Sequence, residues 1–304
     1  MPKLKAGIDL GGTKIEIIVL DESLEVYRKR ISTPSNYTQI LQAIVTLHQT
    51  AKSVLAVGSL PLGVGMPGAL TDQGLLKNAN TVCLNGQRFQ ADIESLLGHR
   101  VAVMNDANLF ALSEAVDGAA AFGNSVFGVI LGTGVGGGWV LNKTLLQGCN
   151  RIAGEWGHNP MSALAPFVTA QARPCYCGLN NCVETFLSGA GLRQTYKEFV
   201  GLHGDELSPS VEEIADLYQQ GDVNAQQVLN VYARQAASAL AAVINIVDPD
   251  IIVLGGGLSN LPNLAENIHK QLLPFVFSDS LKTLVVRNRH GDSSGVRGAA
   301  WLCD

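Results

Sequence analysis

Twice in this chain a strand pattern runs into a cluster of glycines and then resumes as a strand. Residues 5–10 read as a strand, Asp9-Leu10-Gly11-Gly12-Thr13-Lys14 as a tight turn, and residues 15–20 as the next strand. The scheme returns at residues 126–131, then Gly132-Thr133-Gly134-Val135-Gly136-Gly137-Gly138, then residues 139–141. A strand–glycine turn–strand unit used twice predicts an internal duplication, with one sheet built around each copy. Periodicity elsewhere predicts strands at 25–31, 62–66, 101–105, 251–254 and 284–287. Helices are predicted at 37–51, 89–97, 108–116, 184–200, 211–219, 225–247, 261–273 and 294–302. Strands alternating with helices make an α/β protein. A Gly- and Ala-rich stretch at 117–123 places a boundary between an N-terminal domain, 1–117, and a C-terminal domain, 118–304.

The composition suits this plan. With 304 residues, 47% hydrophobic and 15% charged, the chain can bury the cores of about two domains. A formal net charge of -5 argues against nucleic acid or an anionic membrane as partner. Met1-Pro2-Lys3-Leu4-Lys5 enters the first strand with no apolar leader, and the apolar stretches break before spanning length. A cytoplasmic protein without a membrane or nucleic-acid partner is the expectation.

The glycine turns suggest phosphate chemistry. Gly11 and Gly12 let backbone amides point into one concavity, and Thr13 and Lys14 add donors. Asp9 does not favour phosphate by itself; it makes sense if Mg²⁺, directly or through its water, lies between. The second turn, with Gly132, Thr133, Gly134 and Gly136, contains a GxGxxG match. A dinucleotide fingerprint requires a helix to open inside that motif, whereas here a strand pattern resumes. The GxxxxGK[ST] loop is absent from both turns. A third run, Gly255-Gly256-Gly257, follows a buried strand and would let backbone approach an adenosine; a plain turn explains it equally.

Carboxylates and amides supply the rest of a site. Asp106 in Asn105-Asp106-Ala107-Asn108 stands where a strand meets a helix, as a candidate base or an ordinary helix cap. Glu155, His158 and Glu184, with Asn80 as a candidate addition, suit a polyhydroxylated ligand, whose hydroxyls both donate and accept. Asn78 and Asn85 are further candidates, with Asn85-Gly86 better read as turn chemistry. His158, Cys175, Cys177 and Cys182 match a closed tetrahedral zinc site, structural rather than catalytic. Cys83, Cys149 and Cys303 read as ordinary thiols.

Together these residues resemble the ROK family of sugar kinases, and within it the bacterial fructokinase, or manno(fructo)kinase, branch. That preference rests on residues 153–160, and on Asn78-Ala79-Asn80 followed by Leu84-Asn85-Gly86. The resemblance implies a two-domain hexokinase/actin-like ATPase fold, ribonuclease H-like, around a cleft, with the final helix, 294–304, returning to the N-terminal domain. It implies MgATP held by Asp9, Gly11, Gly12, Thr13, Lys14, Gly132, Thr133, Gly134, Gly136, Gly256 and Gly257. It also implies Asp106 as catalytic base, sugar contacts from Asn80, Asn105, Asp106, Glu155, His158 and Glu184, the zinc ligands above, and a homodimer. Some members are repressors with an added DNA-binding domain, for which this chain leaves no room before its first strand.

The reaction so implied is transfer of the γ-phosphoryl of ATP to the 6-hydroxyl of D-fructose, with mannose as a further acceptor. A glucokinase or an N-acetylhexosamine (GlcNAc/ManNAc) kinase is the alternative within the family. A non-catalytic sugar-binding regulator and an NAD-dependent oxidoreductase are readings from other classes.

Overall fold

The structure is a computed structural model that describes residues 3–166, 172–202 and 207–303. Two compact units emerge: Met1–Gly118 with Asp292–Asp304, and Ala119–Gly291.

The first unit opens with strands β1 (Leu4–Leu10), β2 (Lys14–Asp21) and β3 (Leu24–Ser32), then helix α1 (Tyr37–Val54) and strand β4 (Leu62–Met66). A small hairpin, β5 (Ala69–Leu70) and β6 (Leu76–Lys77), precedes α2 (Phe89–Leu97), β7 (Ala102–Asn105) and α3 (Asp106–Val116). The sheet order is β3-β2-β1-β4-β7. β1 runs antiparallel to β2 and parallel to β4. Both faces of β1 and β2 are covered, which is why their sequences are apolar almost without alternation. Ile8, Ile15 and Ile17 share one core with Ile40, Ile44, Phe89 and Ile93, while Ile18 and Leu20 join a second cluster.

The second unit contains β8 (Ser125–Leu131), β9 (Val135–Leu141) and β10 (Thr144–Leu146). Helices α4 (Glu184–Leu187), α5 (Gly189–Val200), α6 (Val211–Gln219) and α7 (Val223–Val247) follow. The unit ends with β11 (Ile251–Gly255), α8 (Leu264–Leu272) and β12 (Leu284–Arg287). Its sheet order, β10-β9-β8-β11-β12, repeats that of the first unit strand for strand. The directions repeat as well: β8 is antiparallel to β9 and parallel to β11. Tyr232 and Ala236 of α7 and Phe186 of α4 lie in a core shared with Val129 of β8 and Ile252 of β11.

The closing helix α9 (Ser294–Trp301) belongs to the first unit. Three glycines let it approach. A Cβ on Gly7 would lie 2.2 Å from the Val296 carbonyl, one on Gly63 1.9 Å from the Ala299 carbonyl, and one on Gly298 2.0 Å from the Leu109 carbonyl. Ser294 donates to Glu114 at 2.8 Å, and Arg297 pairs with Asp117.

Several elements depart from the sequence reading. The helix expected over 184–200 breaks at Ser188, whose hydroxyl accepts the Gly191 amide at 3.2 Å and caps α5. The second glycine turn ends early, because β9 begins at Val135 and takes Gly136–Gly138 into the sheet. The helix expected over 261–273 starts at Leu264, after Asn263 in a left-handed conformation (φ 53°). The β5–β6 hairpin and β10, of two or three residues per strand, fall below the length that periodicity detects. Among the described residues no helix is long and apolar enough to cross a membrane.

Candidate active site

The first unit assembles an acidic, glycine-lined cluster. Gly11 N–H donates to the Lys14 carbonyl at 2.9 Å and closes the turn between β1 and β2. Thr33 anchors it from the end of β3: its hydroxyl donates to the Gly11 carbonyl at 2.7 Å and its amide to the Thr13 carbonyl at 3.0 Å. Thr33 lies twenty residues away and only the β2–β3 pairing brings it here, so no local signal could have singled it out. A Cβ on Gly12 would stand 3.7 Å from the Thr81 hydroxyl, which places Asn80 beside the same turn.

Asp9 sits near the end of β1, directly opposite Glu16 of β2. A Cβ on Gly65 would come within 3.2 Å of the Asp9 carboxylate, and one on Gly295 within 3.6 Å of it. Glycine at these two positions therefore lets the carboxyl sit between β4 and α9 without a side chain against it. Its pKa is pushed up to about 6, first by burial, then by the charges of Asp106 and Glu16, with Lys14 pulling the other way. A partly buried carboxyl in a negative field, flanked by glycines, fits a divalent cation, which would relieve that field.

Asp106 is the first residue of α3, and its Oδ1 accepts the Ala107 amide at 2.8 Å. The capping role that Asp106 might have filled belongs to Asn105, whose Oδ1 accepts the Asn108 amide at 3.0 Å. Solvent reaches Asp106, yet the protein around it desolvates the carboxyl enough to hold its pKa above the ordinary carboxylate range.

The second unit carries the matching glycine turn. Gly132 N–H donates to the Gly134 carbonyl at 2.9 Å. No helix opens after Gly134; the chain enters β9 at Val135, so the dinucleotide reading loses its structural requirement. Glu184, first residue of α4, reaches this turn, and its Oε2 accepts the Val135 amide at 2.9 Å. Gly189 N–H donates to the Gly132 carbonyl at 2.8 Å. Gly136 lies in β9 and gives its carbonyl to Trp156 Nε1 at 2.9 Å. Gly256 follows β11 with φ 79°, and a Cβ there would strike the Leu131 carbonyl at 2.3 Å; Gly257 meets no such obstacle.

The turn from Gly154 to His158 is laid on β9. Trp156 is buried, and a Cβ on Gly157 would lie 2.3 Å from the Val135 carbonyl. Glu155 and His158 flank that packed pair, Glu155 exposed and His158 half-buried. A cavity of about 520 Å³ in this unit is lined by Thr133, Tyr176, Glu184, Ser188 and Gln194, among others. It joins the glycine turn to the start of α4. In the first unit Asn85 is committed to its own loop: it accepts the Ala79 amide at 2.9 Å and donates to the Ala79 carbonyl at 3.0 Å.

His158, Cys175, Cys177 and Cys182 converge, with their ligand atoms all within 4.8 Å of one another. Cys175 Sγ lies 3.6 Å from His158 Nδ1, and Cys177 Sγ lies 3.6 Å from Cys182 Sγ. Metal–sulfur bonds of about 2.3 Å in a tetrahedron imply ligand–ligand edges of about 3.7 Å, so the donor set fits zinc. The other ring nitrogen of His158, Nε2, contacts the Tyr176 hydroxyl at 3.0 Å. Tyr176 went unnoticed in the sequence because an aromatic between two cysteines carries no signal of its own.

Comparison with known proteins places this geometry. The model of the ROK family matches residues 5–304. The N-acetyl-D-glucosamine kinase of Haemophilus influenzae (strain 86-028NP) is 39% identical over 304 residues, covering 97% of this chain and 98% of that protein. The ROK hexokinase of Thermus thermophilus superposes with a TM-score of 0.85 at 27% identity, covering 99% of this chain and 97% of that one. A ROK family glucokinase from Streptomyces griseus, solved with glucose and AMPPNP, gives 0.74 at 27% identity and 99% of both chains. The two-domain α/β fold expected from the resemblance is thus that of solved relatives.

The fructokinase assignment is overturned. Near full-length relatives at 38–39% identity are N-acetyl-D-glucosamine kinases. The segments that suggested fructose are largely architectural: Asn85 brackets Ala79, while Trp156 and Gly157 pack on β9. Likeness in such positions reports loop shape rather than the identity of the acceptor.

Proposed function

Because the chain belongs to the ROK family and is an ATP-dependent sugar kinase within it, we propose that its acceptor is N-acetyl-D-glucosamine. The observation that carries this reading is 39% identity over 304 residues to a kinase of that sugar. The site chemistry supports it. Acceptor-binding roles fall to Asn80, Asn105, Glu155, His158 and Glu184: the amides give and take hydrogen bonds, the carboxylates accept them from sugar hydroxyls, and the imidazole donates from the nitrogen not turned to the cysteines.

In the proposed reaction the 6-hydroxyl of the sugar, its one primary alcohol, attacks the γ-phosphorus of ATP. The bond from that phosphorus to the β–γ bridging oxygen breaks, and ADP leaves. Asp106 takes the hydroxyl proton. Its fixed Oδ1–Ala107 contact leaves the other carboxylate oxygen to face the acceptor. The Gly11 and Gly132 amides close their turns, so the amides of Gly12, Thr13, Thr133 and Gly134 receive phosphate oxygens, and Lys14 adds positive charge. Gly256 packs closely on the Leu131 backbone, and Gly257 beside it, with nothing within 4 Å, leaves backbone open to the adenosine. Magnesium, held by Asp9 directly or through water, would neutralise phosphate charge. Zinc on His158, Cys175, Cys177 and Cys182 would tie the loop before α4 in place.

A panel of sugars with ATP tests the proposal. N-acetyl-D-glucosamine should give the highest kcat/KM for ADP release, with the product phosphorylated at its 6-position. A higher kcat/KM for glucose, the sugar bound in the S. griseus relative, would replace this reading.

A further inference from the structure

Glu184 was expected only as an acceptor contact. Its position shows a second task. Oε2 accepts the Val135 amide at 2.9 Å, and a Cβ on Gly134 would come within 2.8 Å of that same oxygen. The second glycine turn is therefore shaped around a carboxylate that comes from another element, α4. Its other contacts converge on the same few residues. The Gly189 amide holds the Gly132 carbonyl at 2.8 Å, and Gly157 packs against the Val135 carbonyl. Val135 is thus held on its N–H by Glu184, while the turn that presents Glu155 and His158 packs closely against its C=O. Glu184 and Thr133 also line one cavity.

We propose that Glu184 is a positioning residue for nucleotide binding: by holding the Val135 amide it keeps the Gly132–Gly134 turn in phosphate-binding shape, and so couples acceptor binding to nucleotide binding through one carboxylate. The physical reason lies in the glycines. A turn of Gly-Thr-Gly has little conformational preference of its own, so an external acceptor must select one arrangement. A side-chain oxygen that accepts from a backbone amide serves that purpose, because a buried N–H left without an acceptor is costly. Glu184 also lines the cavity, where an acceptor hydroxyl can meet it. The coupling half of the proposal rests on the acceptor reading above; the positioning half does not.

The test measures affinity for Mg-AMPPNP by calorimetry, first without sugar and then with saturating N-acetyl-D-glucosamine, in the wild type, Glu184→Ala and Glu184→Gln. Glu184→Ala should weaken AMPPNP about tenfold in the absence of sugar and abolish any tightening that the sugar produces. Glu184→Gln keeps a carbonyl oxygen for the Val135 amide, so its sugar-free AMPPNP affinity should stay within about twofold of wild type while sugar affinity falls. Unchanged sugar-free AMPPNP affinity in Glu184→Ala overturns the proposal. So does an equal loss in both variants, since that pattern reports the charge and not the held amide. Should Glu184→Ala fail to fold, the Glu184→Gln pattern and a Gly134→Ala variant, which pushes on Oε2 from the other side, decide it. Gly134→Ala should likewise weaken AMPPNP, and a wild-type affinity there overturns the proposal. If wild-type protein binds AMPPNP but not the sugar, the acceptor reading fails while the sugar-free arm still decides the role of Glu184.

Discussion

Asp9 and Glu16 stand directly opposite each other across the β1–β2 pair, yet their charges are handled differently. Glu16 is buried and takes Arg30 Nε at 2.6 Å together with Arg28 Nη1 on one oxygen. Asp9 is flanked by Gly65 and Gly295, and its pKa is pushed up to about 6 by burial and by the charges of Asp106 and Glu16. A carboxylate arranged in this way costs stability until a cation arrives. Asp9→Asn should therefore raise the Tm of the ligand-free protein at neutral pH and weaken Mg-AMPPNP at least tenfold. Thermal melts with and without Mg-nucleotide check both, and a lower Tm together with intact binding would remove Asp9 from the magnesium role.

Asp106 carries the pH dependence of turnover. Its folded-state pKa is raised, chiefly by desolvation, so the proton leaves later than from an ordinary aspartate. A base must be ionised, so kcat/KM for phosphorylation should fall as pH drops through that raised value, earlier than for a solvated carboxyl. The stability sign is opposite. The folded state binds this proton more tightly than the unfolded chain, so stability from this group is present below the unfolded pKa. It is lost as pH rises from there to the folded value. Asp106→Asn should abolish transfer, keep sugar binding, and flatten this part of the Tm–pH curve. Wild-type-like turnover in the variant would refute the role.

The cysteine–histidine cluster predicts one zinc per chain. Elemental analysis of purified protein should find it, and Cys177→Ser or His158→Ala should lose it. Removal by chelator should lower Tm, because the metal would tie His158 to the Cys175–Cys182 loop, adding to the two backbone hydrogen bonds, Met161 to Asn181 and Val183 to Asn159, that already join these segments. A chain free of zinc with unchanged Tm would contradict the assignment.

Gly63 tests the seat of α9. Its Cβ would lie 1.9 Å from the Ala299 carbonyl, a backbone atom that no side-chain rotation can move aside. Gly63→Ala should destabilise the protein by about 3 kcal/mol, the upper range for overpacking. Gly58→Ala, where nothing lies within 4 Å, is the control, and urea titration of both separates a packing effect from loss of glycine flexibility.

Much of this protein was readable from its residues because the decisive features are local. Both glycine turns, the strands beside them and the Asn105–Asp106 junction show in a few consecutive letters. The four metal ligands lie within 25 residues of one another in the sequence, from His158 to Cys182. Features that went unseen are non-local. Thr33 meets Gly11 only through the β2–β3 register, and Glu184 meets Val135 across 49 residues. Ser188 breaks a helix that periodicity alone would continue.

Acceptor identity was the costliest error. Residues 78–86 and 153–160 looked like specificity determinants, but Asn85, Trp156 and Gly157 spend their contacts on their own scaffold. A linear motif does not distinguish a side chain that holds a loop from one that holds a ligand.

The paired glycine turns show where sequence stops and structure begins. By itself the sequence determined that two strand–turn–strand units exist, that the turns are permissive enough for phosphate, and that carboxylates, cysteines and a histidine stand nearby. Only the tertiary structure decided that the two sheets share one strand order, that the second turn ends at Gly134, and that Thr33 and Glu184 shape the two turns. The reason is physical. Glycine supplies freedom at its own position, whereas the choice among the conformations it allows is made by contacts from distant segments.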